Sequence, residues 1–129
     1  LSISHSQFHK HGAYMVENAD LSGFTLEGQR RIALLVRAHR RKFPVKPFDD
    51  LPILERRPML RLAVLLRLAV LLHRSRTDTV PALDGLKAKD QGLKLRFAPG
   101  WLEANPLTRA DLERESGHLK AAQFKLKVE

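Results

Sequence analysis

The chain has 129 residues, which suits one domain or one domain with a small appendage. Its 23 Lys and Arg exceed its 14 Asp and Glu, so the formal net charge is +9. This excess predicts an anionic partner such as nucleic acid, polyphosphate or an acidic lipid surface. Hydrophobic residues make up 43%, enough for a packed core, and the lack of cysteine excludes disulfides and thiolate metal sites.

The first part of the chain has a helical pattern. Residues 7–18 form the first predicted helix, and Thr25 is a good N-cap for a second helix that runs to about residue 42. Prolines between residues 44 and 52 predict a loop. A third helix follows over residues 55–74, with Pro58 in its first turn. This third helix is apolar nearly all round, so we expect it to be central and buried.

The pattern changes to alternation after residues 77–81. Residues 83–89 and 93–97 predict a β-hairpin, a helix begins at Asn105 or Thr108, and residues 124–128 predict a third strand. The expected fold class is mainly α, with a helical domain over residues 1–77 and a small α+β subdomain over residues 78–129. We expect the sheet of this subdomain to be three-stranded and antiparallel. No stretch is long enough for a membrane-spanning helix.

Histidines are the first candidates for chemistry. His5, His9 and His11 lie close together, and a helical wheel places His39 among the apolar residues of the second helix. Histidines on two neighbouring helices can bind a divalent metal. Few carboxylates lie near them in sequence, so hydrogen-bonded histidines in a contact between helices are favoured over a metal site. No phosphate loop or Ser-His-Asp arrangement is present, and no catalytic residue is predicted.

Basic residues give a stronger signal because they form groups. The groups are Arg30 with Arg31, Arg37 with residues 40–42, Arg56 with Arg57, Arg74 with Arg76, and Lys87, Lys89, Lys94 and Arg96 on the hairpin. Residues two apart in a strand share a face, so Lys87 and Lys89 are expected to point the same way, and so are Lys94 and Arg96. Aromatic residues are sparse, which argues against a single-strand nucleic-acid binder that works by stacking.

Several segments together carry a family resemblance. They are HSQFHKHGAYMVENADLSGFT (residues 5–25), LVRAHRRK (35–42), LLRLAVLLHRSR (65–76), PGWLEANPL (99–107) and DLERE (111–115). In this order they resemble the C-terminal region of bacterial exopolyphosphatases, of the exopolyphosphatase and guanosine-pentaphosphate phosphatase family. The basic pattern at residues 36–42 favours the exopolyphosphatase branch.

The resemblance implies a larger enzyme with two N-terminal actin-like domains, which release terminal phosphate from inorganic polyphosphate with Mg²⁺. We therefore expect this chain to be a piece of a longer protein, an HD-like helical domain followed by the α+β subdomain. Its expected role is to bind polyphosphate and to dimerise. Expected partners are inorganic polyphosphate, the actin-like domains of the same protein and a second copy. The expected location is the cytoplasm, with peripheral membrane association as the alternative.

The resemblance also bears on individual residues. Val70 stands where HD hydrolases keep a metal-binding Asp, so we expect no metal ligand and no cofactor in this chain. The expected polyphosphate contacts are His9, Lys10, His11, Arg37, Arg40, Arg41, Lys42, Arg74 and Arg76. Alternative functions are the C-terminal region of a guanosine-pentaphosphate phosphatase, a degenerate HD-type metal phosphohydrolase and a nucleic-acid-binding module.

Overall fold

The computed structural model describes residues 8–18, 23–39, 41–75 and 83–129. Its elements are α1 (Phe8–Asn18), α2 (Leu26–Ala38), α3 (Lys46–Asp49), α4 (Ile53–Ser75), β1 (Leu83–Lys89), β2 (Gly92–Phe97), α5 (Trp101–Ala104), α6 (Pro106–Leu119), a 3₁₀ turn (Lys120–Ala122) and β3 (Lys125–Val128). The predicted fold class, mainly α with a small sheet, is confirmed. Within the described residues, no helix is both long enough and apolar enough to cross a bilayer.

Internal contacts divide the chain into an N-terminal unit, Leu1–Arg67, and a C-terminal unit, Leu68–Glu129. The boundary that the sequence suggested, near residues 76–80, lies outside the described residues and stays a prediction. The HD-like character of the helical part is likewise an expectation from the resemblance.

Helix α2 starts where the capping rule places it. The Thr25 hydroxyl accepts a hydrogen bond from the Gly28 backbone N–H at 2.9 Å, and Glu27 lies in the first turn. The helix ends at Ala38, earlier than predicted, because Arg41 adopts a left-handed conformation with φ 62°. Arg31 of α2 pairs with Glu55 of α4, which ties the two helices together.

The buried side of α4 follows the helical repeat. In the N-terminal unit it consists of Met59, Ala63, Val64 and Arg67, which are at most 7% exposed. The opposite side corrects the expectation of a helix buried all round, since Leu62 and Leu65 are 47% and 49% exposed. The segment LRLAVL occurs twice in α4, at residues 60–65 and 66–71, and places more leucine on the helix surface than this core can cover.

A short helix, α3, lies inside the predicted proline loop. Lys46 begins it, Pro47 occupies its first turn, and Phe48 is 2% exposed. The Phe48 ring stacks on Phe43, with centroids 5.2 Å apart. The prolines therefore start a helical turn that buries an aromatic pair.

The sheet has the strand order β1-β2-β3. Strands β1 and β2 form the predicted antiparallel hairpin, with Lys87 opposite Lys94. The prediction of a fully antiparallel sheet is wrong, because β3 pairs parallel to β2, with Lys127 opposite Lys94. The physical reason is the connection: α5 and α6 carry the chain back to the start of β2, as parallel pairing requires.

The core of the C-terminal unit lies between the sheet and α6. Leu93, Leu95 and Phe97 alternate along β2 and are at most 6% exposed. Leu112 and Leu119 of α6 are fully buried. Because successive side chains of a strand point to opposite faces, this packing leaves Gly92, Lys94 and Arg96 on the open face of the sheet.

Candidate functional site

The expected phosphate contacts fall on several elements. His9, Lys10 and His11 lie on α1, where Lys10 is exposed and the side chains of the two histidines are outside the described part. Arg40 and Arg76 are also outside the described residues. Arg74 is exposed near the end of α4, in the C-terminal unit.

Three of the expected residues stay together at the end of α2. Arg37 lies in the last turn of the helix, and Arg41 and Lys42 follow it; all three are exposed. We call Arg37, Arg41 and Lys42 the α2-end cluster. The non-glycine residue Arg41 has a φ of 62°, which is an uncommon and mildly strained conformation. Backbone strain of this kind is frequent at functional sites.

Arg67, which sequence reasoning missed, explains how the α2-end cluster is held. Its side chain is 3% exposed, and its Nη1 donates to the Ala38 carbonyl oxygen at 2.8 Å. Its Nη2 donates to the Arg41 carbonyl oxygen, and its guanidinium lies 5.4 Å from the centroid of the Phe43 ring. The last carbonyls of a helix lack partners within the helix and carry partial negative charge. From its buried position, Arg67 supplies hydrogen-bond donors and a positive charge to the carbonyls of Ala38, the last residue of α2, and of Arg41, which follows the helix.

This arrangement has an electrostatic consequence. The negative end of a helix would ordinarily attract nearby cations and repel an anion. Because the buried Arg67 satisfies the carbonyls of Ala38 and Arg41, the exposed cations of the α2-end cluster remain available to an external ligand. The sequence did contain a signal for the burial of Arg67. This residue lies four residues after Ala63 and therefore on the same face of α4, which is the buried one.

His39 has a local role in the structure. It lies just after α2, is half-buried, and donates from Nδ1 to the Val36 carbonyl oxygen. The helical wheel predicted that His39 lies among the apolar residues of the second helix. The buried residues of α2 are instead Gln29, Ala33, Leu34 and Ala38. His39 therefore helps to close the helix end.

Metal binding finds no support in the part of the chain that the structure describes, where no three His, Asp or Glu side chains are grouped. The side chains of His9 and His11 fall outside that part. The absence of a metal site in the whole chain stays a prediction. Val70 is half-buried on α4.

The hairpin cations belong to a larger surface than the sequence indicated. We call it the lysine face, and it consists of Lys87, Lys89, Lys94, Arg96, Lys125 and Lys127. The sequence paired the hairpin residues correctly by face. It missed Lys125 and Lys127 as members because the register of β3 was unknown, although the alternation in KLKV places both lysines on one side.

Comparison with known proteins identifies the family. A family model described as "Ppx/GppA phosphatase, domain III" matches residues 1–116. The chain belongs to the Ppx/GppA phosphatase family. This result confirms the resemblance inferred from the histidine segment and the segments that follow it.

Curated relatives in the Ppx/GppA family carry the name guanosine-5'-triphosphate,3'-diphosphate pyrophosphatase. The protein from Pseudoalteromonas translucida (strain TAC 125) is 32% identical over 99% of this chain. That from Aliivibrio fischeri (strain MJ11) is 35% identical over 90% of it. The chain spans about a quarter of the length of these relatives, 26% and 23% respectively. It therefore corresponds to one module of a Ppx/GppA phosphatase.

Proposed function

We propose that this chain is the module of a Ppx/GppA phosphatase that holds inorganic polyphosphate for catalytic domains elsewhere in the same protein. The observation that carries the proposal is the α2-end cluster, whose exposed cations Arg37, Arg41 and Lys42 lie in and just after the last turn of α2, where Arg67 hydrogen-bonds the Ala38 and Arg41 carbonyls. Adjacent cations bind a chain of phosphates with higher affinity because each contact releases condensed counterions. Arg40 of the same segment and Lys10 on α1 are expected to add to this surface.

The module is proposed to bind without cleaving. Mg²⁺ and the acidic residues of the reaction belong, in this proposal, to the actin-like domains. The cytoplasm is the proposed location, since polyphosphate chemistry by this family requires no oxidising compartment and the chain contains no cysteine.

A second candidate function is suggested by the names of the relatives. Guanosine-5'-triphosphate,3'-diphosphate carries two runs of phosphate, which the α2-end cluster would contact in the same way as a polyphosphate. A nucleotide ligand also calls for a surface that recognises guanine. Competition between the nucleotide and polyphosphate separates the two candidates.

The proposal also includes homodimerisation through α4. Leu54, Leu62 and Leu65 are 88%, 47% and 49% exposed. Leu62 lies eight residues after Leu54 and Leu65 three residues after Leu62, which puts the three on one side of the helix. Such a stripe of leucine supports contact with an equivalent helix of a second copy. A two-fold interface would place the same stripe on both subunits.

Isothermal titration of the chain with long-chain polyphosphate tests the binding proposal. We expect binding at about 50 mM salt that weakens steeply by about 200 mM, since binding rests on phosphate contacts. The double variant Arg37→Ala/Arg41→Ala should bind on the order of tenfold more weakly, because charge-assisted contacts are lost.

The matched control is Lys46→Ala/Arg57→Ala, which removes two exposed charges from the same unit. It should bind like the wild type, apart from a small loss common to any reduction in net charge. Equal weakening by both double variants would reject the α2-end cluster as the site. A wild-type chain that binds no polyphosphate at low salt would reject the function itself.

A further inference from the structure

A cavity opens on the lysine face of the C-terminal unit, and its lining includes no residue of the α2-end cluster. Its volume is about 300 Å³, and it is lined by Lys87, Lys89, Gly92, Leu93, Lys94, Lys125 and Lys127. We call it the lysine pocket. A second hollow of about 220 Å³ continues along the sheet past Lys94 to Arg96 and Glu129. Five lysines therefore surround one glycine in the C-terminal unit.

Strand register explains why these five lysines meet. Gly92 lies directly between Lys89 on β1 and Lys125 on β3. One step along the same face, Lys94 lies between Lys87 and Lys127. Neighbouring strands are about 4.8 Å apart, so each row places cations within reach of successive phosphate groups.

Gly92 keeps the centre of the pocket open. A Cβ at this position would lie 3.2 Å from the Lys125 carbonyl oxygen, closer than ordinary contact, so the parallel approach of β3 favours glycine here. Because glycine has no side chain, the floor of the pocket is backbone and the walls are lysine stems. Glycine within a strand often marks a close approach of this kind.

Without a bound anion, repulsion between the lysines lowers the stability of the folded sheet. Like charges directly opposite each other on paired strands are destabilising. On this face Lys94 pairs with Glu129 and Arg96 lies near Asp84, and the charge of Lys87 also acts on Glu129. A surface that concentrates cations at this density favours a ligand of high negative charge.

Glu129 is the internal anion of this surface. Its carboxylate lies 2.8 Å from Lys94 Nζ. The hydrogen bond and the charge of Lys94 hold the pKa of Glu129 below its ordinary value, so the group is ionised at neutral pH. Arg96, which lines the neighbouring hollow, lies 4.0 Å from Asp84. A ligand phosphate that contacts Lys94 therefore competes with Glu129.

We propose that the lysine pocket binds a short linear run of phosphoryl groups, inorganic oligophosphate being the ligand class. The proposal rests on the proposed function for the general nature of the ligand, but it assigns a different surface in a different unit of the chain. An inorganic ligand is favoured over a nucleotide or single-stranded nucleic acid because, among the described residues, no aromatic or arginine side chain lines the lysine pocket to stack on a base. The aromatic residues of the unit are Phe97, Trp101 and Phe124; Phe97 stacks on Trp101 at 4.9 Å, and none of the three lines the pocket.

Lysine footprinting tests the site directly. The chain is acetylated briefly with and without saturating inorganic tripolyphosphate, and modification at each lysine is read by mass spectrometry. We expect Lys87, Lys94 and Lys127 to react several-fold more slowly with tripolyphosphate present. Lys46 and Lys120, which are exposed elsewhere, should be unaffected and serve as internal controls.

Two further arms of the footprint identify the ligand class. Guanosine-5'-triphosphate,3'-diphosphate and an oligothymidylate replace tripolyphosphate at equal phosphate concentration. Weaker protection by both supports the proposal. Stronger protection by either one would overturn it in favour of a nucleotide or nucleic-acid site.

Variants give an independent readout by titration with tripolyphosphate. Lys87→Ala/Lys127→Ala should weaken binding on the order of tenfold, whereas Arg109→Ala/Lys120→Ala removes the same charge from the same unit and should have little effect. Glu129→Gln should strengthen binding about twofold to fivefold, because the competing carboxylate is removed. An unchanged or weaker affinity for Glu129→Gln would contradict the competition.

The outcomes separate this proposal from the proposed function. If Arg37→Ala/Arg41→Ala weakens long-chain binding while the pocket lysines stay unprotected, the pocket is rejected and the proposed function stands. If the pocket lysines are protected and the α2-end double variant binds normally, the pocket stands and the α2-end cluster is rejected. If the wild-type chain binds neither phosphate ligand, both are rejected.

Discussion

At the scale of single residues, the most informative side chain is a buried arginine. Arg67 has apolar neighbours in sequence on both sides, and the sequence offers no acidic partner for it nearby. The structure provides backbone carbonyls and an aromatic ring, from Ala38, Arg41 and Phe43. A planar guanidinium suits this role because its several donors reach two acceptors at once.

Replacing Arg67 should destabilise the N-terminal unit. In Arg67→Met the apolar volume is largely kept but the carbonyls of Ala38 and Arg41 lose their donors, so we expect a loss of about 2–4 kcal/mol in the free energy of unfolding. Urea unfolding followed by circular dichroism measures this loss. Arg57→Ala, at an exposed position of the same helix, should stay within about 0.5 kcal/mol of the wild type. A similar small change for Arg67→Met would mean that water satisfies the helix end.

At the scale of elements, the sheet shows how local pattern and long-range pairing differ. The alternation of β1, β2 and β3 and the turn between the first two were visible in the sequence. The direction of β3 was not, because alternation is the same for parallel and antiparallel strands. Packing of α6 against β3 accompanies the parallel arrangement, and the Ser116 hydroxyl donates to the Leu126 carbonyl oxygen at 3.2 Å.

Helix α6 offers a matched pair of leucines to test this packing. Leu112 is 0% exposed and Leu107 is 82% exposed on the same helix. Leu112→Ala should lower the free energy of unfolding by about 2–5 kcal/mol, because it leaves a cavity in the core of the C-terminal unit. Leu107→Ala should change it by less than about 0.5 kcal/mol. Thermal or urea denaturation of the two variants checks the difference, and equal losses would contradict the assigned core.

At the scale of the whole molecule, the net charge of +9 includes the cations of two proposed anion-binding surfaces. One is the α2-end cluster of the N-terminal unit, and the other is the lysine face of the C-terminal unit. Under the two proposals, both units contribute to anion binding. The variants of the α2-end cluster and of the lysine pocket, each with its own control, measure how much each surface contributes to the binding affinity for phosphate ligands.

Self-association is the prediction that belongs to this scale. Sedimentation analysis at micromolar concentration should show a mass twice that of one chain. The double variant Leu62→Glu/Leu65→Glu should sediment as a monomer, because four like charges across a two-fold interface oppose association. Leu107→Glu, an exposed leucine of α6, is the control and should remain dimeric. A dimer that survives the double variant would place the interface elsewhere than α4.

The sequence by itself determined the local elements, the family and the basic character of the protein. Thr25 capped α2 as expected, the hairpin ran from residue 83 to 97, and the histidine segment identified the family, because caps, turns and motifs depend on residues close together in the chain. Only the tertiary structure decided that Arg67 closes the end of α2 and that Lys125 and Lys127 join the hairpin lysines around Gly92. Both arrangements bring together residues distant in sequence, and such contacts are set by packing and register rather than by local preference.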